Sequence, residues 1–471
     1  MMKMLEILIA HPGWVTIGDL AAYLEISERT ISEDIACLRR RWGPILNLEV
    51  SSKKGMKAHH LNTASMGKVF MDLFNESTAL RWLEEILFFP HNGIEFYEQK
   101  LFASKSTLMR LLPRINRFLT AHGMAIQHKN NIYEFTASDE QFLRQFFACF
   151  LLELSGPSLK KYHIDFDTTT VQNIIERILK QNLDPLYASF ILNDSIGVLF
   201  QRMLYTVSLV RENQGYTLPS SRSAGREIGS KELAGIQGHF PQISEENLRP
   251  IHAFLLLQYC GWDSGAEKDL AARETERFFD RIFGYLGTVP DADTRRCLGY
   301  ALKSLYLCAK YRPFPTSVLF DRVSYFSTAL KRHNAPVYRV FKSNLQRFSE
   351  NVGLDMSPHL NDVLFWACSC YPAISMFTPA KTALVISDFG TPHANYLVEL
   401  ISLFFNQEHR VKISVTPARF PEILWSFAPD GYDIIITTIP NLPFTHPNIV
   451  LVNDYPSDEN LFDLYKAITA I

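Results

Sequence analysis

Residues 27–42 read SERTISEDIACLRRRW, and this stretch decides the fold of the N-terminal part of the chain. Its apolar side chains recur at helical spacing: Ile31, Ile35 and Leu38. The serine at its beginning is a suitable N-cap, so the pattern predicts a helix from Glu28 to about Trp42. Short polar side chains stand at the start of this helix, and three arginines stand near its end.

The residues around this helix predict a small unit of three helices and a hairpin. Met1–Ala10 is amphipathic, and Thr16-Ile17-Gly18-Asp19 is a capping-box pattern that opens a second helix. After the third helix, Leu46–Val50 and Lys57–Leu61 indicate two short strands. This order of elements predicts a winged helix-turn-helix unit over residues 1–62. A looser repeat of the same order predicts a second such unit over residues 63–138.

The remainder of the chain changes character twice. Residues 139–266 and 267–376 carry apolar side chains at helical spacing and predict two helical bundles. Within the first bundle, residues 213–238 are rich in Gly and Ser and predict a long loop. In residues 377–471, apolar strands alternate with helices, which predicts a small parallel sheet. The expected fold class is mainly α with an α/β C-terminal domain.

Composition excludes several classes of protein. The 471 residues include 47 Lys+Arg and 49 Asp+Glu, so a nucleic-acid surface would have to be local. Apolar runs are shorter than a membrane span needs, and the N-terminus lacks a signal-peptide pattern. Seven scattered cysteines do not form a disulfide framework. We therefore expect a cytoplasmic protein with reduced thiols, no membrane partner, no metal and no cofactor.

The helix that begins at Glu28 is the first candidate for DNA contact. A recognition helix needs short polar side chains where it meets bases and cations where it meets phosphates. We expect one set of side chains near bases: Arg29, Thr30 and Ser32. We expect a second set at phosphates, from the end of the helix and from the hairpin: Arg39, Arg40, Lys53 and Lys54. The alternative is a solvated helix face next to a polar turn.

Residues 104–133 form a second candidate, with five cations and no Asp or Glu. We expect DNA contacts from four side chains of its helix: Lys105, Ser106, Arg110 and Arg114. Pro113 lies inside this helix, where proline removes a hydrogen bond and usually bends the axis. The alternative is a basic face that meets a neighbouring acidic domain.

The chain carries no sequence pattern of an enzyme. Phosphate-binding glycine loops, the His-Glu-x-x-His zinc pattern and the Gly-x-Ser-x-Gly elbow are all absent from the sequence. Among the histidines of the helical region, His163 follows two lysines and His252 lies in a strongly apolar helix. These two are the candidate phosphorylation sites.

This order of domains resembles that of the Mga-type transcription regulators, virulence regulators that contain phosphotransferase-system regulation (PRD) domains. The resemblance implies that both winged helices bind double-stranded promoter DNA. It implies that the helical domains sense carbon supply through histidine phosphorylation by a phosphocarrier. It also implies homodimerisation through a C-terminal domain similar to the IIB component of sugar permeases (EIIB-like).

Two stretches depart from the family pattern. Leu192–Ile196 resembles the regulation-domain pattern Leu-x-Asp-His-Ile but has Ser195 in the place of the histidine. Ile386-Ser387-Asp388 stands where a catalytic IIB loop has a phosphate-accepting cysteine. Three alternatives remain: an RNA-binding antiterminator, an enzymatic phosphotransferase-system component, and a structural protein whose basic faces are domain contacts.

Overall fold

The computed structural model describes residues 2–10, 13–51, 53–59, 63–155, 168–219, 230–311, 317–377, 381–408, 413–418 and 431–470. The chain divides into two units, Met1–Pro372 and Ala373–Ile471. Most of the described residues are helical, and the C-terminal unit contains a parallel sheet of four strands. The boundaries of the five domains given above remain predictions. In the described part of the chain, none of the helices is long and apolar enough to cross a membrane.

The N-terminal segment contains the expected order of elements. Three helices are followed by an antiparallel hairpin: α1 Met2–Ala10, α2 Ile17–Leu24, α3 Glu28–Leu46, β1 Leu48–Ser51 and β2 Gly55–Ala58. The hairpin is tied to the residues before α2 by an antiparallel bridge between Val15 and Met56. Gly55 has a φ of +91°, and a Cβ there would lie 2.1 Å from the Val15 carbonyl oxygen. The close approach therefore requires glycine.

Helix α3 is longer than the sequence predicts. It continues past Trp42 to Leu46, with Pro44 inside its last turn. Leu46 is fully buried, and Asn47 ends the helix in the left-handed conformation with a φ of +43°. Burial of the last turn outweighs the single hydrogen bond that Pro44 cannot make.

The second segment repeats this order after one additional helix. Its elements are α4 Thr63–Glu76, α5 Thr78–Phe88, α6 Ile94–Leu101, α7 Lys105–Thr120, β3 Met124–Lys129 and β4 Ile132–Ala137. Asn130 and Asn131 turn the hairpin, both at positive φ, as a tight type I′ turn requires. Helix α7 runs without interruption through Pro113.

Helices α2 and α3 correspond to α6 and α7 at an offset of 77 positions. The bridge between Val15 and Met56 has its counterpart in a bridge between Asn92 and Tyr133. Buried side chains recur at the same offset: Leu20 and Tyr97, Ile31 and Leu108, Leu38 and Ile115, Trp42 and Leu119. The same backbone scaffold is therefore built twice by different side chains.

Eleven helices make up the rest of the described part of the first unit. They are α8 Glu140–Ser155, α9 Thr168–Asn182, α10 Pro185–Asn193, α11 Ser195–Asn213, α12 Ser230–His239, α13 Glu245–Cys260, α14 Gly265–Leu286, α15 Ala292–Tyr311, α16 Arg322–His333, α17 Ala335–Val352 and α18 Leu360–Cys370. One continuous apolar core joins α8–α13 to both N-terminal segments, and Phe320 packs edge-on against Phe70 of α4 at 4.1 Å.

The expected loop over residues 213–238 is wrong at its C-terminal end, because residues 230–239 form α12. Gly235 and Gly238 lie within this helix. Ile236 is fully buried and Leu233 packs against the core. Burial of these two side chains overrides the weak helix propensity of the glycines.

The C-terminal unit is built on the expected parallel sheet. Its elements are β5 Lys381–Ile386, α19 Thr391–Ser402, β6 Ile413–Pro417, β7 Ile434–Thr437, β8 Ile449–Leu451 and α20 Asp458–Ala470, in the strand order β6-β5-β7-β8. Ala383 and Val385 of β5 face one apolar cluster, and Leu384 and Ile386 face another. Burial on both faces explains the continuous apolar run of β5. The alternation of strands and helices also predicts a helix over Arg419–Ser426, and this stretch lies outside the described residues.

Candidate nucleic-acid interface

Each segment contains two helices joined by the same tight turn. Helix α2 is followed by Glu25 in the left-handed conformation, with a φ of +53°, and Ser27 then caps α3. Helix α6 is followed by Phe102 at a φ of +51°, and Ser104 then caps α7. Each serine hydroxyl accepts the backbone N–H three residues on, at 3.2 and 3.3 Å. The two turns therefore present α3 and α7 in the same way.

The N-terminal end of α3 exposes all three side chains expected near bases: Arg29, Thr30 and Ser32. The Ser32 hydroxyl donates to the Glu28 carbonyl oxygen at 2.9 Å. The Arg29 guanidinium pairs with the Glu33 carboxylate one turn on, at 3.0 Å, although both side chains are mostly exposed. An exposed pair of this kind contributes little stability, so Arg29 can exchange Glu33 for another acceptor.

The three arginines at the end of α3 differ in their environment. Arg39 and Arg40 are exposed and have no ion-pair partner within the described residues. Arg41 instead forms a bidentate pair with Glu76 of α4 and lies 4.1 Å above the Trp42 ring. The hydrogen bonds from Arg41 raise its pKa and lower that of Glu76. Arg41 therefore joins α3 to α4, and Arg39 and Arg40 are the cations available to a ligand.

Lys53 and Lys54 lie at the exposed turn between β1 and β2. Their backbone N–H groups donate to the Ser51 hydroxyl at 3.3 and 3.2 Å, which fixes the turn. The Lys54 ammonium lies 5.7 Å from the centre of the Trp14 ring. The hairpin thus carries two exposed cations on a defined backbone.

Helix α7 presents the more strongly basic face. Ser106, Arg110, Arg114 and Arg117 are exposed and follow one another at intervals of three or four residues, so they form one stripe along the helix. Among the described residues, no acidic side chain pairs with any of the three arginines. Lys105 is exposed at the first turn, where its backbone N–H donates to Glu98. The stripe has uncompensated positive charge, as a phosphate-binding helix requires.

Arg117 was not selected from the sequence as a site residue. It lies seven residues after Arg110, and this spacing places both on the same face of α7. Arg117 corresponds to Arg40 at the 77-residue offset. The heptad-like spacing of Arg110, Arg114 and Arg117 was the signal that could have revealed it.

Comparison with known proteins agrees with this geometry. Residues 62–151 match the Mga helix-turn-helix domain, and residues 1–57 match a helix-turn-helix domain family. The resemblance to Mga-type regulators is confirmed. The "Putative trans-acting regulator" of Streptococcus pneumoniae is 23% identical over 96% of this chain and 94% of that protein. The "Capsule synthesis positive regulator AcpA" of Bacillus anthracis is 22% identical over 27% of this chain and 26% of that protein.

The two helix-turn-helix matches and the names of both relatives support a Mga-like transcription regulator. The Mga match covers the second segment, which contains α7 and its basic stripe. The relatives carry the names of regulators and not of enzymes.

The histidines expected as phosphorylation sites in this Mga-like chain have different positions. His252 of α13 is 4% exposed, with its Nε2 atom 3.3 Å from the Tyr205 hydroxyl of α11. The two rings stack at 5.8 Å. His163 lies outside the described residues. Ser195 is the first residue of α11.

Burial of His252 predicts a specific dependence of stability on pH. Desolvation lowers its pKa from 6.5 to about 4. Below pH 6.5, His252 is protonated in the unfolded chain but stays neutral in the folded chain. The free energy of unfolding therefore falls as the pH falls from 6.5 toward 4. Between pH 6.5 and 5 we expect a loss of about 1.5 kcal/mol. Hydrogen exchange of α13 at several pH values would measure it, and His252→Gln should remove this component. An equal pH dependence in the variant would contradict the assignment.

The helical region contacts the second helix-turn-helix segment through Tyr216. Its hydroxyl donates to Glu134 of β4 at 3.0 Å and lies 3.2 Å from the His91 Nε2 atom. The Gln214 side chain donates to the Leu87 carbonyl oxygen of α5 at 2.9 Å. The residues that follow α11 therefore hold the hairpin and the fifth helix of this Mga-like chain.

A buried ionic network supports these contacts. The Arg144 guanidinium of α8 is fully buried and donates to Glu140 and Glu212, both at 3.1 Å, and to the Tyr216 carbonyl oxygen at 2.6 Å. Arg211 donates twice to Glu140 at 2.8 Å and lies 3.5 Å above the Tyr216 ring. Helices α8 and α11 are thereby joined to the segment that reaches the hairpin.

The loop after β5 has no thiol. Buried Ser387 lies 2.7 Å from the His393 Nδ1 atom, and His393 Nε2 lies 2.8 Å from the Asp454 carbonyl oxygen. A carbonyl oxygen only accepts, so Nε2 carries the hydrogen and the Ser387 hydroxyl donates to Nδ1. The Asp388 carboxylate accepts from the Thr438 hydroxyl at 2.6 Å. The loop is therefore held in place by hydrogen bonds and carries the exposed carboxylate of Asp388.

Proposed function

We propose that this protein regulates transcription by binding promoter DNA through both helix-turn-helix segments, and that it acts as a homodimer without enzymatic activity. The observation that carries the proposal is the duplicated scaffold, whose second copy presents an uncompensated stripe of cations on α7. The chain has a net charge of only −2, so the local excess is significant. The family matches support the same conclusion.

In this proposal the N-terminal ends of α3 and α7 enter the major groove. Arg29, Thr30 and Ser32 lie near base edges in the first segment, and Ser106 takes that place in the second. The exposed cations on the rest of each scaffold contact phosphates: Arg39, Arg40, Lys53, Lys54, Lys105, Arg110, Arg114 and Arg117. Two protomers would cover a long site, where DNA shape contributes to specificity.

The helical region would pass a signal to the second segment through Tyr216. Its hydroxyl contacts Glu134 in the hairpin, and its ring and carbonyl oxygen contact the buried arginines of α8 and α11. A change in the packing of α11 would therefore move or release the hairpin. Carbon-source sensing, with a phosphocarrier that modifies His163 or His252, remains part of the proposal. Phosphorylation of His252 would require the helices around it to open, because the ring is buried.

Dimerisation is assigned to the C-terminal unit. Edge strand β8 exposes Ile449 and Leu451, and the adjacent helix α20 exposes Phe462 and Tyr465. Exposed apolar side chains on an unpaired strand edge favour contact with another chain. This surface supports a second copy as the partner.

An electrophoretic mobility shift with random and promoter-derived duplexes of about 40 base pairs tests the proposal, because that length admits several half-sites. We expect the protein to bind DNA in a salt-sensitive way. An RNA hairpin should compete only poorly with the DNA for the protein. Stronger competition by the RNA hairpin would favour the antiterminator alternative. Absence of a shift at low salt would overturn the proposal.

The first segment can be tested separately with the double variant Arg40→Ala and Lys54→Ala. If each cation meets one phosphate, their loss flattens the slope of log K against log salt by about two units and weakens binding by roughly tenfold. Lys268→Ala with Arg273→Ala removes two exposed cations of α14 and is the matched control. Titration at four salt concentrations gives the slope. An unchanged slope would show that neither Arg40 of α3 nor Lys54 of the hairpin contacts a phosphate.

A further inference from the structure

Two of the seven cysteines have adjacent sulfur atoms. The Sγ atoms of Cys297 in α15 and Cys370 at the end of α18 lie 2.7 Å apart, although 73 positions separate them in the sequence. A disulfide bond needs about 2.04 Å, so the sulfurs are within about 0.7 Å of bonding distance. Helices α15 and α18 pack against each other. The helix packing therefore already brings the two side chains together.

The surroundings of this thiol pair suit exchange chemistry. Both residues are partly exposed, so a small oxidant can reach them. The contact between the two thiols lowers the pKa of Cys297 and raises that of Cys370. The thiolate is the nucleophile in disulfide exchange. The other cysteines lack this arrangement: buried Cys368, for example, has a pKa raised to about 12 by desolvation.

We propose that Cys297 and Cys370 are a reversible redox site that forms an intramolecular disulfide with a low-molecular-weight disulfide as the oxidant. This site is independent of DNA binding and of histidine phosphorylation. In reducing compartments, disulfides are usually transient and redox-sensing, and a pair of thiols held close but unbonded suits that role.

The exchange takes place in two balanced steps. The Cys297 thiolate attacks one sulfur of the small disulfide, a mixed disulfide forms, and one small thiolate leaves. The Cys370 thiol then loses its proton and attacks the Cys297 sulfur, which releases the second small thiolate. The two protein thiols are oxidised by two electrons, and the small disulfide is reduced to two thiols.

The disulfide would join two places in the fold that are only packed together in the reduced chain. Cys370 is the last residue of α18, two residues before the first unit ends at Pro372. A covalent bond to α15 would prevent the end of α18 from fraying. Oxidation would thus fix the point at which the chain leaves the first unit.

The test uses the full-length reduced protein in a series of glutathione redox buffers, with alkylation and peptide mass mapping. We expect the peptides of Cys297 and Cys370 to become linked, with the loss of two hydrogen atoms, while five of the seven thiols remain alkylated. Dithiothreitol should reverse the change. Cys260→Ser, which removes an exposed cysteine of α13, should leave the linkage intact.

Two results would overturn the proposal. One is oxidation of Cys260 at an oxidant concentration at which Cys297 and Cys370 are still both thiols, as shown by their alkylation. The other is a mixed disulfide on Cys297 that persists while Cys370 remains a free thiol. The variant Cys370→Ser should by contrast accumulate that mixed disulfide, because it lacks the resolving thiol. The rates of thiol alkylation at Cys297 and Cys368 can also be compared before oxidation. This comparison measures thiol reactivity and does not depend on formation of the disulfide.

Discussion

Replacing Arg110, Arg114 and Arg117 together by alanine is expected to weaken DNA binding by about 100-fold. Each charge-assisted contact to a phosphate contributes about 1 kcal/mol or more, and about 1.4 kcal/mol corresponds to a tenfold change in affinity. The three side chains share one face of α7 and have no acidic partner among the described residues. Because their loss removes no ion pair among those residues, the effect should fall on binding.

The salt dependence identifies the kind of contact that is lost. Phosphate contacts should flatten the slope by about three units and weaken random and promoter-derived duplexes about equally. Base contacts would instead weaken the promoter-derived duplex selectively. The measurement is fluorescence anisotropy of labelled duplexes from low to moderate salt.

A matched triple variant separates local contact from net charge. Arg339→Ala, Lys342→Ala and Arg347→Ala remove three exposed cations of α17 and change the net charge equally. This control should bind DNA like the parent protein. Equal weakening by both triple variants would mean that overall charge, and not the stripe on α7, determines affinity.

The helix starts of the N-terminal segments could be predicted because their determinants are local. Ser27 and Ser104 cap α3 and α7 with hydrogen bonds to backbone N–H groups three residues away. The last turn of α3 and the whole of α12 could not be predicted, because Pro44 and the glycines of α12 disfavour a helix locally. Burial of Leu46 and Ile236 against other parts of the fold outweighs these local preferences.

The same distinction applies to the candidate site. The cations were visible in the sequence, but their partners were not. Arg29 and Glu33 are one helical turn apart, so their ion pair could be predicted from the sequence. The pair between Arg41 and Glu76 joins positions 35 apart and required the fold. Burial of His252 likewise depends on Tyr205 from another helix.

Replacing Arg144 by methionine is expected to destabilise helices α8 and α11 by about 3–5 kcal/mol, because it leaves the buried Glu212 carboxylate without its cation. Glu212 is 6% exposed and would lose the Arg144 guanidinium while keeping the N–H of Leu218 at 3.0 Å. Glu140 would keep Arg211. Methionine has a similar length and no charge, so the loss is mainly electrostatic. Lys180→Met breaks an exposed pair with Glu176 and should cost less than about 1 kcal/mol.

Native-state hydrogen exchange, read separately over α8 and α11, is the suitable measurement, since the chain has two units and one global unfolding energy is not defined for it. Adding Glu212→Gln to Arg144→Met should restore part of the loss, because a neutral amide costs less to bury than an unpaired carboxylate. The Tyr216 carbonyl oxygen also loses its donor in the variant, so the hairpin contact through Glu134 should loosen together with α11. If the amides of β4 kept their protection while those of α11 lost theirs, the network would stabilise the helical region alone, and the proposed path to the second segment would be wrong.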